Sequence, residues 1–199
     1  MRGSSNGPIS RPHGIGASAA ALLLAACGPP SGAGPVPAKA PPPVLAPRPL
    51  AQLFVLEAAG ASPEDTVVVL PPAAGRVVVL RRSAPDYGLF AEVAFPPASG
   101  AGPMTVSLAP VPGLYGLDLG VQGTISDSAT ITFSYGAHFV APAGARERYG
   151  GNIAFERELA IGRLGADSQV VFLPTTRPGS DMLRAPLAGP GRYLVAAPR

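Results

Sequence analysis

From Gln52 onward the chain is written in short apolar runs, rich in Val and Leu, separated by Gly, Pro, Ser and Asp. Runs of this length bounded by turn-forming residues predict β-strands. Leu53 to Leu56 is the first, and Thr66 to Leu70 is the second, stopped by Pro71-Pro72. Ala73-Ala74-Gly75 then leads into Val77 to Leu80, which predicts that these two runs pair as a hairpin. Leu89 to Phe95 follows and is closed by Pro96-Pro97. Met104 to Leu108 alternates, with Val106 and Leu108 on one face and Thr105 and Ser107 on the other. Gly116 to Val121 is a weaker run, because glycine inside a strand costs order and suggests a bulge. Thr130 to Tyr135 is the clearest strand, with Ile131, Phe133 and Tyr135 facing one way and Thr130, Thr132 and Ser134 the other.

Helical signals occur only between Pro142 and Leu159. Pro142 to Tyr149 predicts one or two helical turns, with Pro early, a solvated Arg146-Glu147-Arg148 and Gly150-Gly151 as the stop. Phe155 to Leu164 carries two patterns. Phe155 and Leu159 are spaced for a helix, whereas Leu159 and Ile161, ahead of the turn Gly165-Ala166-Asp167, suit a strand. Strand from Leu159 is the favoured reading, paired with Gln169 to Leu173. Met182 to Leu187 and Arg192 to Ala196 close the chain around the turn Gly189-Pro190-Gly191. Nine or ten short strands without a long helix exclude a parallel βαβ sheet and predict an all-β, antiparallel β-sandwich over residues 51–199.

Upstream the texture differs. Ile15 to Ala26 is a 12-residue run of apolar and small residues behind Arg2 and Arg11, with no acid before Cys27. This is the layout of a secretory signal. It is too short for a permanent span, which needs ~20 apolar residues. The run ends in Leu24-Ala25-Ala26-Cys27, which resembles the cleavage and lipidation box of bacterial lipoproteins. The resemblance implies that residues 1–26 are removed as a signal peptide. It also implies that the Cys27 thiol carries diacylglycerol and that the new α-amine carries an N-acyl lipid such as palmitate. Two or more acyl chains anchor stably where one does not. Gly28 stands where lipoproteins kept at the inner membrane tend to have Asp, which points to the outer membrane of the cell envelope. The alternative is an ordinary signal peptide followed by a chance cysteine.

Residues 27–50 read as a linker. Nine prolines lie among the 23 residues from Gly28 to Leu50, and Pro41-Pro42-Pro43 favours polyproline II. At ~3.1 Å per residue such a spacer reaches up to roughly 70 Å.

The net charge of +3 changes meaning once the chain is divided. From Ala51 onward there are eleven arginines, no lysine and twelve acids. A near-neutral domain lacks the basic footprint of a nucleic-acid binder and the polybasic patch of a lipid-headgroup binder. Cys27 is the only cysteine, so lipidation leaves no thiol for a disulfide or a metal.

A second resemblance covers residues 91–198. Phe95-Pro96-Pro97 precedes an alternating strand, Ala129-Thr130-Ile131-Thr132-Phe133-Ser134-Tyr135 follows, then Leu159-Ala160-Ile161 and Gly191-Arg192-Tyr193-Leu194-Val195. This arrangement resembles the ZU5 domain, although Ala98 and Ser99 replace that family's Gly-Ala. The resemblance implies a β-sandwich that mediates protein contacts. Some relatives cleave themselves at His-Phe-Ser. Here His138-Phe139-Val140 lacks the hydroxyl nucleophile, which implies no self-cleavage.

Candidate chemistry is sparse. His138 is the only histidine after the signal, and no Gly-x-Ser-x-Gly elbow accompanies it. Zinc wants three or four His, Cys or carboxylate ligands, and no EF-hand spacing is present for calcium. Asp118, Asp127, Asp167 and Asp181 are loop acids that would bind calcium only by converging, and Glu156 and Glu158 flank Arg157 as on an ordinary charged face. No phosphate loop or dinucleotide fingerprint occurs. There is no Trp, but Tyr87, Tyr115 and Tyr149 lie beside glycines near predicted turns, as candidate ligand-contact residues. The expectation is therefore a non-enzymatic binding or scaffolding lipoprotein with no catalytic residues, metal or cofactor, whose partner is an envelope protein or glycan rather than nucleic acid. The alternatives are a peptidoglycan- or glycan-binding module using those tyrosines, and a hydrolase built on converging carboxylates.

Overall fold

A computed structural model describes residues 46–71, 75–97 and 102–199. The signal peptide, the Leu24-to-Cys27 box and the linker up to Leu45 lie outside the described residues. In chain order the strands are β1 (Arg48–Pro49), β2 (Leu53–Val55), β3 (Glu57–Ala58), β4 (Thr66–Leu70), β5 (Arg76–Arg81), β6 (Leu89–Phe95), β7 (Met104–Pro110), β8 (Gly116–Gln122), β9 (Thr130–Ser134) and β10 (Phe139–Val140). Two helices follow, α1 (Ala143–Tyr149) and α2 (Asn152–Glu158), then β11 (Ala160–Leu164), β12 (Gln169–Phe172), β13 (Met182–Pro186) and β14 (Gly191–Pro198). Short 3-10 turns occupy Leu50–Gln52 and Gly136–His138.

The strands form an antiparallel β-sandwich. The larger sheet runs β1-β12-β11-β14-β8-β7-β4, with β2 also paired to β14. The smaller runs β13-β9-β6-β5, and β10 pairs with β3 as a separate ribbon. Alternation sets the faces. Ile131 and Phe133 of β9 point inward with their cross-strand neighbours Val93 and Ala91, and with Ala185 and Leu183 on the other side. From the larger sheet Val106, Leu108, Leu117, Leu119, Tyr193 and Val195 meet them, so one continuous core fills the space between the layers. The outer face of the larger sheet carries its own small core, in which Leu53, Val170, Phe172 and Ala196 pack with Leu50. Arg48 and Pro49, assigned by sequence to the linker, pair with Val170 and Gln169, so the sheet begins before Ala51.

One predicted pairing is corrected. β4 and β5 do not form a hairpin: β4 pairs with β7 and β5 pairs with β6, in different sheets. Both strands alternate, and alternation reports which face is buried without reporting which neighbour supplies the ladder. Pro71 also brings no N–H with which to continue a ladder beyond Leu70. By contrast, β11 and β12 do make the predicted hairpin, closed by Gly165 N–H donating to the Gln169 carbonyl at 2.8 Å.

β14 ties the domain together. It pairs with β11 along one side and along the other with β8 and then β2. Where the neighbour changes, three backbone bonds close a triangle. Leu56 N–H donates to the Val195 carbonyl (2.8 Å), Val195 N–H to that of Tyr115 (2.9 Å), and Tyr115 N–H to that of Leu56 (2.9 Å). No ladder group at the junction is left open, as a buried backbone requires.

The two helices close one end. α1 spans the predicted turns and stops at Gly150, whose φ of 72° is the left-handed conformation that glycine adopts without steric cost. α2 takes the first part of the stretch that sequence left between helix and strand, and Phe155 on it is fully buried against Phe54, Phe139 and Tyr149. The strand then starts at Ala160, one residue after the favoured Leu159. Among the described residues no helix is long and apolar enough to cross a membrane.

Candidate binding surface

The polar side chains gather at one end of the sandwich, around Arg82. The residue just beyond β5 continues the inward alternation of Val78 and Leu80, and Arg82 is only 2% exposed. A buried guanidinium must be paired and hydrogen-bonded. Arg82 donates to the Ala59 carbonyl and to the Tyr115 hydroxyl, each at 2.8 Å, and its Nε lies 3.5 Å from Asp86 Oδ2. Its Cζ also sits 5.4 Å from the ring centres of both Phe90 and Tyr115, within cation–π range. Tyr115 passes its own proton to the Tyr135 carbonyl at 3.1 Å. The same Asp86 oxygen lies 2.5 Å from Nε2 of half-buried His138, which binds the loop after β5 to the turn before β10.

A second set adjoins it through Tyr135. The Tyr135 hydroxyl donates to Glu156 Oε1 (2.9 Å) and accepts from Arg177 Nη1 (2.8 Å). Arg177 Nη2 donates to the carbonyls of Glu156 (2.5 Å) and Leu159 (3.2 Å), covering the open C-terminal carbonyls of α2 with a cation. Burial, reinforced by the Glu156 hydrogen bond, pushes the Tyr135 hydroxyl up to about 12. Burial likewise raises Tyr115, against the opposing pull of Arg82, and raises Tyr149 and Tyr193.

The sequence-predicted site residues are dispersed. Tyr115 is a correction: it is 1% exposed and belongs to the core, because its N–H and carbonyl are held in the three-strand junction and its ring stacks on Phe90. Tyr149 is half-buried against Phe155, with its hydroxyl on the Pro198 carbonyl at 2.5 Å. Only Tyr87 stands out, 63% exposed, so the three tyrosines share no surface. Asp118 holds Arg192 through two bonds of 2.8 and 2.7 Å. Asp167 accepts the Gln169 N–H at 3.1 Å within the β11–β12 turn, Asp181 lies against Gly136, and Asp127 occupies the turn before β9. Glu156 is engaged by Tyr135 while Glu158 is exposed at the end of α2. Among the described residues no three His, Cys, Asp or Glu side chains come together.

What the structure does assemble, and sequence did not foresee, is an apolar flank. β4 ends the larger sheet and β5 ends the smaller. A groove of about 430 Å³ lies between them, lined by Pro63, Glu64, Thr66, Val79, Arg81 and Tyr87. Tyr87 is held at its rim with φ 53°, its carbonyl accepting a long bond from Arg81 (3.4 Å). On the outer faces of these two strands Val67, Val69, Val77 and Val79 are 69%, 63%, 53% and 42% exposed. The signal lay in the sequence as two copies of Val-Val-Val-Leu, at 67–70 and 77–80, but reading them as a hairpin made each the other's cover.

No family model matches the chain, and neither a curated protein nor a solved structure is similar to it.

Proposed function

We propose that this chain is a lipid-anchored lipoprotein of the cell envelope, held at the outer membrane through Cys27, whose β-sandwich binds or braces another envelope component without catalysing a reaction. The observation that carries the reading is Leu24-Ala25-Ala26-Cys27, placed at the end of a 12-residue apolar run behind two arginines. The proline-rich residues that follow are the composition of a semi-rigid spacer, which suits a domain displayed away from the lipid surface. A role in contacts rather than in chemistry is supported by the apolar flank with its four valines and Tyr87, since exposed apolar patches mark contact sites, those between copies of one chain included. The polar groups at the Arg82 end are, in contrast, spent on one another and on backbone carbonyls, which suits holding loops in place.

The test is mass spectrometry of the mature N-terminus together with membrane fractionation of the wild-type chain and Cys27→Ala. The reading expects a mature protein beginning at a diacylated, N-acylated Cys27, and an unlipidated variant that leaves the membrane fraction. A wild-type chain whose Cys27 is unmodified would sink it.

A further inference from the structure

We infer that the open edges of β4 and β5 pair with those of a second copy of this chain, β4 of one copy against β5 of the other, in an antiparallel register that sets Val68 opposite Val78. An edge strand aims every second N–H and C=O away from its sheet, and flat apolar edges are normally blunted by Lys, by in-strand Pro or by covering. β4 and β5 carry neither Lys nor Pro, and both present valines to solvent.

The occupant is chosen by register and charge. In the stated register Val67 meets Val79 and Val69 meets Val77, so exposed faces exposed. Val68 meets Val78, whose side chains turn toward the core. Asp65 falls opposite Arg81, which in its own copy is exposed and, among the described residues, makes only the 3.4 Å side-chain bond to the Tyr87 carbonyl. Like-edge pairing does worse. β5 against β5 brings Arg76 and Arg81 of the two copies side by side, and β4 against β4 leaves Glu64 and Asp65 without a cation. Oppositely charged cross-strand neighbours stabilise and like charges destabilise, so charge selects the unlike pairing.

The pairing also closes. Glu64 and Thr66 at the start of β4 share the groove with Val79 and Arg81 at the end of β5, while Leu70 and Arg76 are the ends joined by the chain. The two edges therefore run in opposite directions. A two-fold axis along them forms both β4–β5 contacts at once, and uses up the β4 and β5 edges of both copies. The inference stands independently of the lipid anchor.

The experiment uses the full chain, purified in detergent, in two differently tagged forms, Val67→Cys and Val79→Cys, mixed and oxidised. The expected result is a disulfide between the two forms above the wild-type background, with little from either form alone. In sedimentation the wild type is a dimer, Val69→Lys weakens association roughly tenfold through two lost edge contacts, and Asp65→Arg with Arg81→Asp restores what either alone removes. A monomer at all concentrations would overturn the inference. So would a disulfide of Val67→Cys with itself, or an edge occupied by a strand of a different protein.

Discussion

The Arg82 end and the β4–β5 flank are opposites in how they meet water. At the first, two arginines, four tyrosine or carboxylate groups and a histidine are drawn partly or wholly out of solvent and joined to one another and to backbone carbonyls. At the second, four valines are left in solvent and, among the described residues, two ladders end without a neighbour. A polar group can be buried only when it is paired, so the first region spends its polar groups on joining its own loops and strands. An apolar edge stays exposed at a cost in solubility, so the second is where a partner gains most by covering. Position in the fold, more than residue chemistry, separates the buried polar end from the exposed apolar flank here.

The contrast breaks most visibly at Arg82. Arg82→Leu strips hydrogen bonds from the Ala59 carbonyl and the Tyr115 hydroxyl and leaves Asp86 with His138 alone, and should cost about 3 kcal/mol in urea unfolding. A cost under about 1 kcal/mol would mean that the network does not hold this end. Alkali tests the same region. Tyr135 keeps its proton in the folded protein to about 12, against 10.0 for an unperturbed tyrosine. Between those values the unfolded chain has lost the proton and the folded one has not. Stability is thus intact below about pH 10 and falls as the pH climbs toward 12, by up to about 2–3 kcal/mol. Tyrosinate absorbance and circular dichroism followed together should show late ionisation coinciding with unfolding. Ionisation of Tyr135 near pH 10 without loss of structure would contradict its burial. The smallest effect belongs to the flank. Val69→Lys should change monomer stability by no more than about 0.5 kcal/mol, as an exposed substitution. A loss comparable to that at Arg82 would show that the flank is packed rather than open.

Legibility in the sequence followed the range of the interaction. Ile131, Phe133 and Tyr135 were placed on one face from alternation alone, and Gly150 was placed after a short helix from its glycine pair; both readings concern residues a few positions apart. Arg82 continues the inward alternation of Val78 and Leu80, while Arg81 shares the outward side with Val79. What the sequence does not show is its partner, because the Tyr115 hydroxyl that it meets comes from 33 positions away. Tyr115 looked like a loop residue for the same reason, since its partners are Leu56 and Val195.

By itself, then, the sequence determined the strand-rich class, the antiparallel β-sandwich and the short helical turns after Pro142, because each is encoded in period or punctuation. The tertiary structure alone decided which strands are neighbours, that β4 and β5 part company into two sheets, and which tyrosines are buried. Those choices depend on packing between residues remote in the chain, and a period of two reads the same whichever sheet the strand joins.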